Sequence, residues 1–411
     1  MDGRGEIIVG LDIGTTKICC IVGELLLDEI NIIGLGVYPS IGLRKGVVVN
    51  IESTVESIKK AVEEAEVMAG CTISTVYVGI AGGHITGFNS RGLVAVKGQE
   101  ITQSDVDRVI EAARAVAIPM EREVIHVLPQ EYIVDDQDGI QNPLGMSGVR
   151  LEAKIHIVTG AVTSARNIVK CVNRAGLDVG EIVLESLASG GAVLTDEERD
   201  LGVALVDIGG GTTDLAVFSG KQISHTFVLA LGGSNFTSDI AIGLRAPIAE
   251  AERIKERFGT CLTDQVGSEE VIEVPGLGGR APRKLPRQIL GEILEPRMEE
   301  VLSLIKQEVD KRHLTPVISS GVVLTGGGAM LDGAADLAES VFKLPVRLGK
   351  PAGVTGLADM VKSPMYATGV GLVFYGAKQD RKRKPKGFSI SDKNIFYKVM
   401  AQMKRWFKEV M

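Results

Sequence analysis

"LVDIGGGTTDLAVF", residues 205 to 218, places three glycines and two threonines between Asp207 and Asp214, with an apolar run on either side. The pattern reads as strand, loop, strand, with the most flexible residues where the chain must reverse. "GLDIGTTKICCIV" at 10 to 22 writes the same idea earlier, and Asp207 follows Asp12 by 195 residues. Each hairpin is followed by a third strand-like stretch, "INIIGLGV" after the first and "KQISHTFVLAL" after the second. Gly220-Lys221 is a tight-turn signal before the latter. The chain reads as a duplication of a three-strand unit.

Glycine lets backbone N–H groups approach a ligand with no Cβ in the way. Successive N–H groups in such turns form concave anion sites, to which threonine hydroxyls add donors. Asp12 and Asp207 would repel a bare phosphate. They make sense if Mg²⁺, held mostly through water, lies between carboxylate and phosphate. Lys17 is placed to reach a phosphate directly. Two such hairpins can grip one polyphosphate from opposite sides, through Gly14, Thr15, Thr16 and Lys17 on one and Gly209, Gly210, Gly211, Thr212 and Thr213 on the other.

These hairpins resemble the actin, sugar kinase and heat-shock chaperone superfamily, whose α/β fold sets two duplicated halves around a nucleotide cleft. The resemblance implies ATP with Mg²⁺, and three more segments fit it. "LTGGGAML" at 324 to 331 is similar to the adenosine loop, which makes Gly326, Gly327, Gly328 and Ala329 candidates. "ESLASGGAVL" at 185 to 194 is similar to the segment linking the halves, with Glu185 at the water-orienting position. "AEAERIKERFG" at 249 to 259 is similar to the helix flanking the nucleoside, which makes Glu252 and Lys255 candidates. Asp12, Asp207 and Glu185 form the implied catalytic set. Since relatives often lack an acid at the position of Glu185, at most slow ATPase activity is expected.

Composition sets the limits. The 411 residues are 45% hydrophobic and 24% charged, as in a globular protein with a sizeable core. With no run of 18 apolar residues, neither a spanning helix nor a secretory leader is expected. The five cysteines show no metal-type pairing and suit a reducing cytoplasm. Net charge is −7, but Lys378 to Met411 carries eleven basic residues against three acids. An acidic body would repel nucleic acid, so no nucleic-acid partner is expected, and a basic tail suits an anionic surface.

Beyond the cleft, "NIESTVESIKKAVEEAEVMAG" reads as a helix capped by Asn50. "VYVGIAGGHITGFNSRGLVAV" follows it and opens an inserted subdomain at 84–161, with a helix near "SDVDRVIEAARAV" and strands at "EVIHVLPQEYIVD" and "RLEAKIHIVTGAV". The first half is then 1–83 with 162–193, the second 194–245 with 312–377, and a smaller subdomain spans 246–311. In the last, "PRQILGEILEPRMEEVLSLIKQEVDK" is an amphipathic helix with a stripe of Ile289, Leu290, Ile293, Leu294, Val301, Leu302 and Ile305.

Residues 378–393 read as a disordered basic linker. At 394–411, Ile395, Phe396, Val399, Met400, Met403, Trp406, Phe407 and Val410 recur at helical spacing, with Lys404 and Arg405 on the polar side. Such a helix suits anionic membrane lipid. A helix docking on the body or on a partner protein is the alternative.

Insertion and tail together resemble the FtsA family of actin-like bacterial division proteins. That resemblance implies tethering of the FtsZ ring to the cytoplasmic face of the membrane at the division site, self-association into protofilaments, and contact with other division proteins. It makes Arg297 a candidate contact for the acidic C-terminal tail of FtsZ. A PilM-like pilus scaffold and a sugar-kinase-type enzyme are the alternatives on the same fold.

Overall fold

A computed structural model describes residues 5–26, 29–276, 278 and 280–383. Residues 5–376 belong to one compact unit; a second begins at Ala377, of which 377–383 are described. The first half opens with β1 (Glu6–Ile13), β2 (Lys17–Leu26) and β3 (Glu29–Pro39), an antiparallel meander. β1 is buried from Ile8 to Ile13, which is why its apolar run does not alternate. A short hairpin, β4 (Leu43–Arg44) and β5 (Val47–Val48), leads into α1 (Ile51–Ala69). The Asn50 side chain accepts the Ser53 N–H at 3.1 Å, and left-handed Gly70 ends the helix. Next, β6 (Thr75–Ile80) runs parallel to β1.

The inserted subdomain follows as β7 (Thr86–Ala95), α2 (Gln103–Arg114), β8 (Arg122–Val134), β9 (Gln137–Ile140) and β10 (Arg150–Ala161). Its antiparallel sheet has the order β7-β10-β8-β9, and α2 closes an apolar core with Val109, Leu151 and Ile155. The chain then returns through α3 (Val162–Arg174), β11 (Asp178–Leu184) beside β6, α4 (Glu185–Val193) and α5 (Asp196–Leu201).

The second half restates the first. β12 (Val203–Ile208), β13 (Thr213–Ser219) and β14 (Gln222–Leu229) form the same meander. After them come α6 (Gly233–Leu244), α7 (Ile248–Phe258), the β15 (Val271–Val274) and β16 (Arg283–Pro286) hairpin, and α8 (Gln288–Lys311). β17 (Val322–Thr325), α9 (Ala334–Phe342) and β18 (Val346–Leu348) complete the sheet. Its order, β14-β13-β12-β17-β18, matches β3-β2-β1-β6-β11 of the first sheet strand for strand.

Three expectations need correction. The stretch placed in the second half at 312–377 does not all lie there. β19 (Val354–Gly356) pairs with β3, and α10 (Ala367–Arg383) rests on β1 and β2, with the Gly369 carbonyl and Leu372 over Gly10. Gly10 and Gly23 of the first sheet give α10 a close seat, since a Cβ at either would meet it. The linker expected from 378 is helical through Arg383, because α10 continues across it. On α8, Ile289 and Ile293 sit at the margin of the core, while Met298 and Val309 are buried in line with Leu294, Val301 and Leu302. The buried face keeps Leu290, Leu294, Val301, Leu302 and Ile305 of the expected stripe and is turned about the helix axis toward Met298 and Val309. The proposed membrane residues, Ile395 to Val410, lie outside the described residues. Among the described residues no helix is long and apolar enough to cross a membrane.

Candidate functional site between the hairpins

The two hairpin loops close alike: Gly14 N–H donates to the Lys17 carbonyl at 3.0 Å, and Gly209 N–H to the Thr212 carbonyl at 2.9 Å. They meet tip to tip. A Cβ built on Gly210 would lie 2.5 Å from Thr16 Cγ2, and one on Gly211 would be closer still to Thr15 Oγ1. Only glycine allows these backbones to come together. Beside the tips is a cavity of about 390 Å³, lined by Asp12, Gly14 to Lys17, Glu185, Asp207, Gly209 to Thr212, Glu252, Lys255 and Gly326 to Gly328.

Carboxylates dominate the site. Asp12 Oδ2 accepts from Lys17 Nζ at 3.2 Å. Burial works against a charge on Lys17, yet Asp12, with Cys19 and Asp207 behind it, holds the ammonium above its ordinary range. Burial pushes Asp207 up to about 6, and the Thr368 hydroxyl donates to its Oδ2 at 3.4 Å. Opposite Asp207 in the sheet is Asp214, which burial and then Asp207 push up to about 7. The Thr212 hydroxyl donates to Asp214 Oδ2 at 2.9 Å, while Oδ1 is buried with no partner. Glu185 is raised well above the carboxylate range by burial and then by Asp12, Asp214 and Asp207.

Three buried carboxylates and the half-buried Glu185 crowd around one ammonium, and a divalent cation would let them carry their charge together. Among the described residues no group of three or more His, Cys, Asp or Glu is placed to grip a metal directly. The geometry therefore suits an ion that keeps its waters, as Mg²⁺ does.

This crowding predicts a pH dependence. Asp207 and Asp214 have native pKa values above their ordinary 3.8, so the native state carries no penalty from them at pH 4 and a growing one as pH rises through 6 and 7. Stability from these groups thus falls with rising pH. Asp214→Asn removes its share: in urea melts without ligand, the variant gains about 3 kcal/mol on wild type between pH 5 and pH 8. A constant difference across that range would contradict the electrostatic account.

At the far end, α7 contributes Glu252 and Lys255. Lys255 Nζ donates to both Glu252 oxygens at 2.8 Å, to the Thr237 hydroxyl at 2.9 Å and to the Gly233 carbonyl at 3.3 Å. Its side chain is only 12% exposed, so it is a wall of the cleft and not part of a solvated face.

Two sequence candidates are displaced. Thr213 is buried and turned away, its hydroxyl donating to the Leu231 carbonyl at 2.9 Å. Ala329, at 3% exposure, packs into the second-half core. Arg297 is on α8, engaged by Asp239 at 2.6 and 3.2 Å and by Glu300. Sequence reasoning missed Asp214, Gly233, Phe236, Met330, Met365 and Thr368. A signal existed for Asp214, which lies 195 residues after Cys19 as Asp207 does after Asp12.

A family profile described as "Cell division protein FtsA" matches residues 204–371, and another, "SHS2 domain inserted in FTSA", matches 82–159. The chain is 50% identical over 410 residues to the cell division protein FtsA of Pseudomonas aeruginosa, covering 98% of this chain and 97% of that one. It is 46% identical to that of Escherichia coli K12, over 90% of each chain. To that of Bacillus subtilis it is 41% identical, over 95% of this chain and 88% of the relative. The chain belongs to the FtsA family. An actin-like division protein is therefore the frame for every residue above, and the segment carrying β7 to β10 is the inserted subdomain that the family's own profile names.

Solved structures agree on the fold. A PilM–PilN type IV pilus biogenesis complex matches with TM-score 0.65 at 18% identity, covering 90% of this chain and 98% of that one. MreB 5 of Spiroplasma citri bound to AMPPNP matches with TM-score 0.54 at 15% identity, covering 92% and 98%. At such identities the likeness is one of fold, the actin-like ATPase fold.

Proposed function

We propose that this FtsA-family protein binds ATP with Mg²⁺ between its hairpins, associates into protofilaments, and holds the FtsZ ring at the cytoplasmic face of the membrane through its C-terminal segment. The observation that carries the nucleotide reading is the pair of opposed glycine hairpins beside Asp12, Lys17, Glu185 and Asp207. The hairpin N–H groups and the Thr15 and Thr16 hydroxyls donate to phosphate oxygens, and Lys17 turns from Asp12 toward them. Asp12 and Asp207 would hold a hydrated metal ion, which would neutralise phosphate charge. Glu185, raised toward its neutral form by burial and its neighbours, would orient a water and be a poor base, which suits slow turnover. Lys255 and Glu252 flank the nucleoside beside the glycines of 326–328.

For the tether, Arg297 receives an acidic tail in exchange for Asp239 and Glu300, and the apolar residues from Ile395 to Val410 enter the lipid interface. The test is flotation of purified FtsZ with anionic liposomes and Mg·ATP. FtsZ should rise with the vesicles when this chain is added and stay below without it. FtsZ left behind while this chain floats would overturn the tether.

A further inference from the structure

Edge strand β14 of the second half has no backbone partner on its outer side in the sheet order, yet it is not bare. The inserted subdomain lays β7, β8 and β10 against it. Gln130 Nε2 donates to the Ile223 and Ser224 carbonyls at 3.0 and 3.1 Å, and Asn89 Nδ2 to the Ser224 carbonyl at 3.3 Å. His156, buried, reaches Asn89 Oδ1 at 2.6 Å and Thr226 Oγ1 at 2.8 Å.

Both sides of this clasp are irregular. Gln130 is the extra residue where β8 slips between Glu131 opposite Lys154 and Pro129 opposite Ile155. Ser224 is the extra residue where β14 slips between His225 opposite Val217 and Ile223 opposite Phe218. A bulge frees a residue from its ladder and re-aims it, and here two bulges face one another. A Cβ at Gly87 would overlap Thr226 Oγ1 and His156 Nε2, so the approach is close by design of the sequence.

The clasp connects to the cleft within a few residues. After Thr226, β14 carries Val228 against the first-half core, and Ala230, just past its end, lies beside Gly83. The chain then reaches Gly233 and Ser234, whose N–H groups donate to the Gly209 and Gly210 carbonyls at 2.9 and 2.7 Å. Those carbonyls belong to the hairpin tip that meets Thr15 and Thr16 of the first half. Anything that passes between the tips must part them, and the insertion, rooted in the first half, holds the second half by β14.

We propose that the inserted subdomain is a strap across the cleft: Gln130, Asn89 and His156 hold β14 so that the halves open only when this clasp lets go, which sets the rate of ligand exchange. The proposal rests on the nucleotide reading for its kinetic readout, so the test carries a second readout that does not. In a Cys71→Ser background, Asn89→Cys and Ser224→Cys are joined by a short bis-methanethiosulfonate, each thiolate displacing a sulfinate to form a reducible disulfide; the other cysteines are buried and stay unmodified. Release of a fluorescent ATP analogue should be about tenfold slower in the joined protein, with recovery on reduction, and about fivefold faster in the folded Asn89→Ala, Gln130→Ala double variant. Unchanged release in both, from protein that binds the analogue, overturns the strap.

If wild type binds no nucleotide, that reading falls by itself, and the strap is judged by spin-label distances between the insertion and the second half. The double variant should then broaden the distribution relative to wild type, and identical distributions overturn the strap.

Discussion

Gly210→Val should lower affinity for Mg·ATP by at least about 100-fold, or roughly 3 kcal/mol, while the protein stays folded. A Cβ at this position meets Thr16 Cγ2 at 2.5 Å, and the valine methyls reach further into the space between the tips. The substitution therefore wedges two loops apart and fills the hollow where backbone N–H groups would face phosphate. Stability suffers far less, since Gly210 is on a partly exposed tip and not among the buried residues of either core. Calorimetric titration beside a thermal melt separates the outcomes. Wild-type affinity would remove the hairpins from the binding site, and a melt reduced in proportion to affinity would mark the effect as unfolding.

Ending the chain at Lys393 should abolish flotation with anionic liposomes. Residues 394–411 combine eight large apolar side chains at helical spacing with Lys398, Lys404, Arg405 and Lys408. Cations near an anionic surface contribute about 1 kcal/mol each, so one copy of the segment alone should hold only marginally. Association of many copies raises the hold by about 10²- to 10⁴-fold without a new contact, and Mg·ATP should strengthen flotation if it drives association. Trp406, the sole tryptophan, reports the step directly. Its emission should shift to the blue with vesicles and not with neutral lipid alone. Flotation of the shortened chain would transfer membrane binding to the body.

What the sequence disclosed and what it hid follow from range. The two hairpins were legible because Asp, Gly and Thr recur in one order within eight residues, and the Asn50 cap because it acts over three. The stripe of α8 came out rotated because periodicity alone does not say which margin faces the core once Met298 fills it. β19 has three residues and owes its existence to β3, more than 300 positions earlier, so no local pattern announces it. Thr213 and Ala329 fell on the right loops, but alternation along a strand turned the first away and the start of a helical turn buried the second. Gln130 and Ser224 gave no signal, because a bulge is a property of two strands in register and neither strand carries it alone.

The duplication is close in architecture and unequal in chemistry. Across the sheet from Asp12 stands Cys19, an inert thiol that burial pushes up to about 12, whereas across from Asp207 stands Asp214. Lys17 has its counterpart 195 positions on in Thr212, a cation against a hydroxyl. Two identical jaws would accept a linear polyphosphate equally well in either direction. With a cation in one jaw and an extra carboxylate in the other, the two directions differ in energy, and the cleft imposes head and tail on whatever it holds. Every copy of the chain would then present its ligand the same way round, a direction set by a departure from symmetry at two side chains.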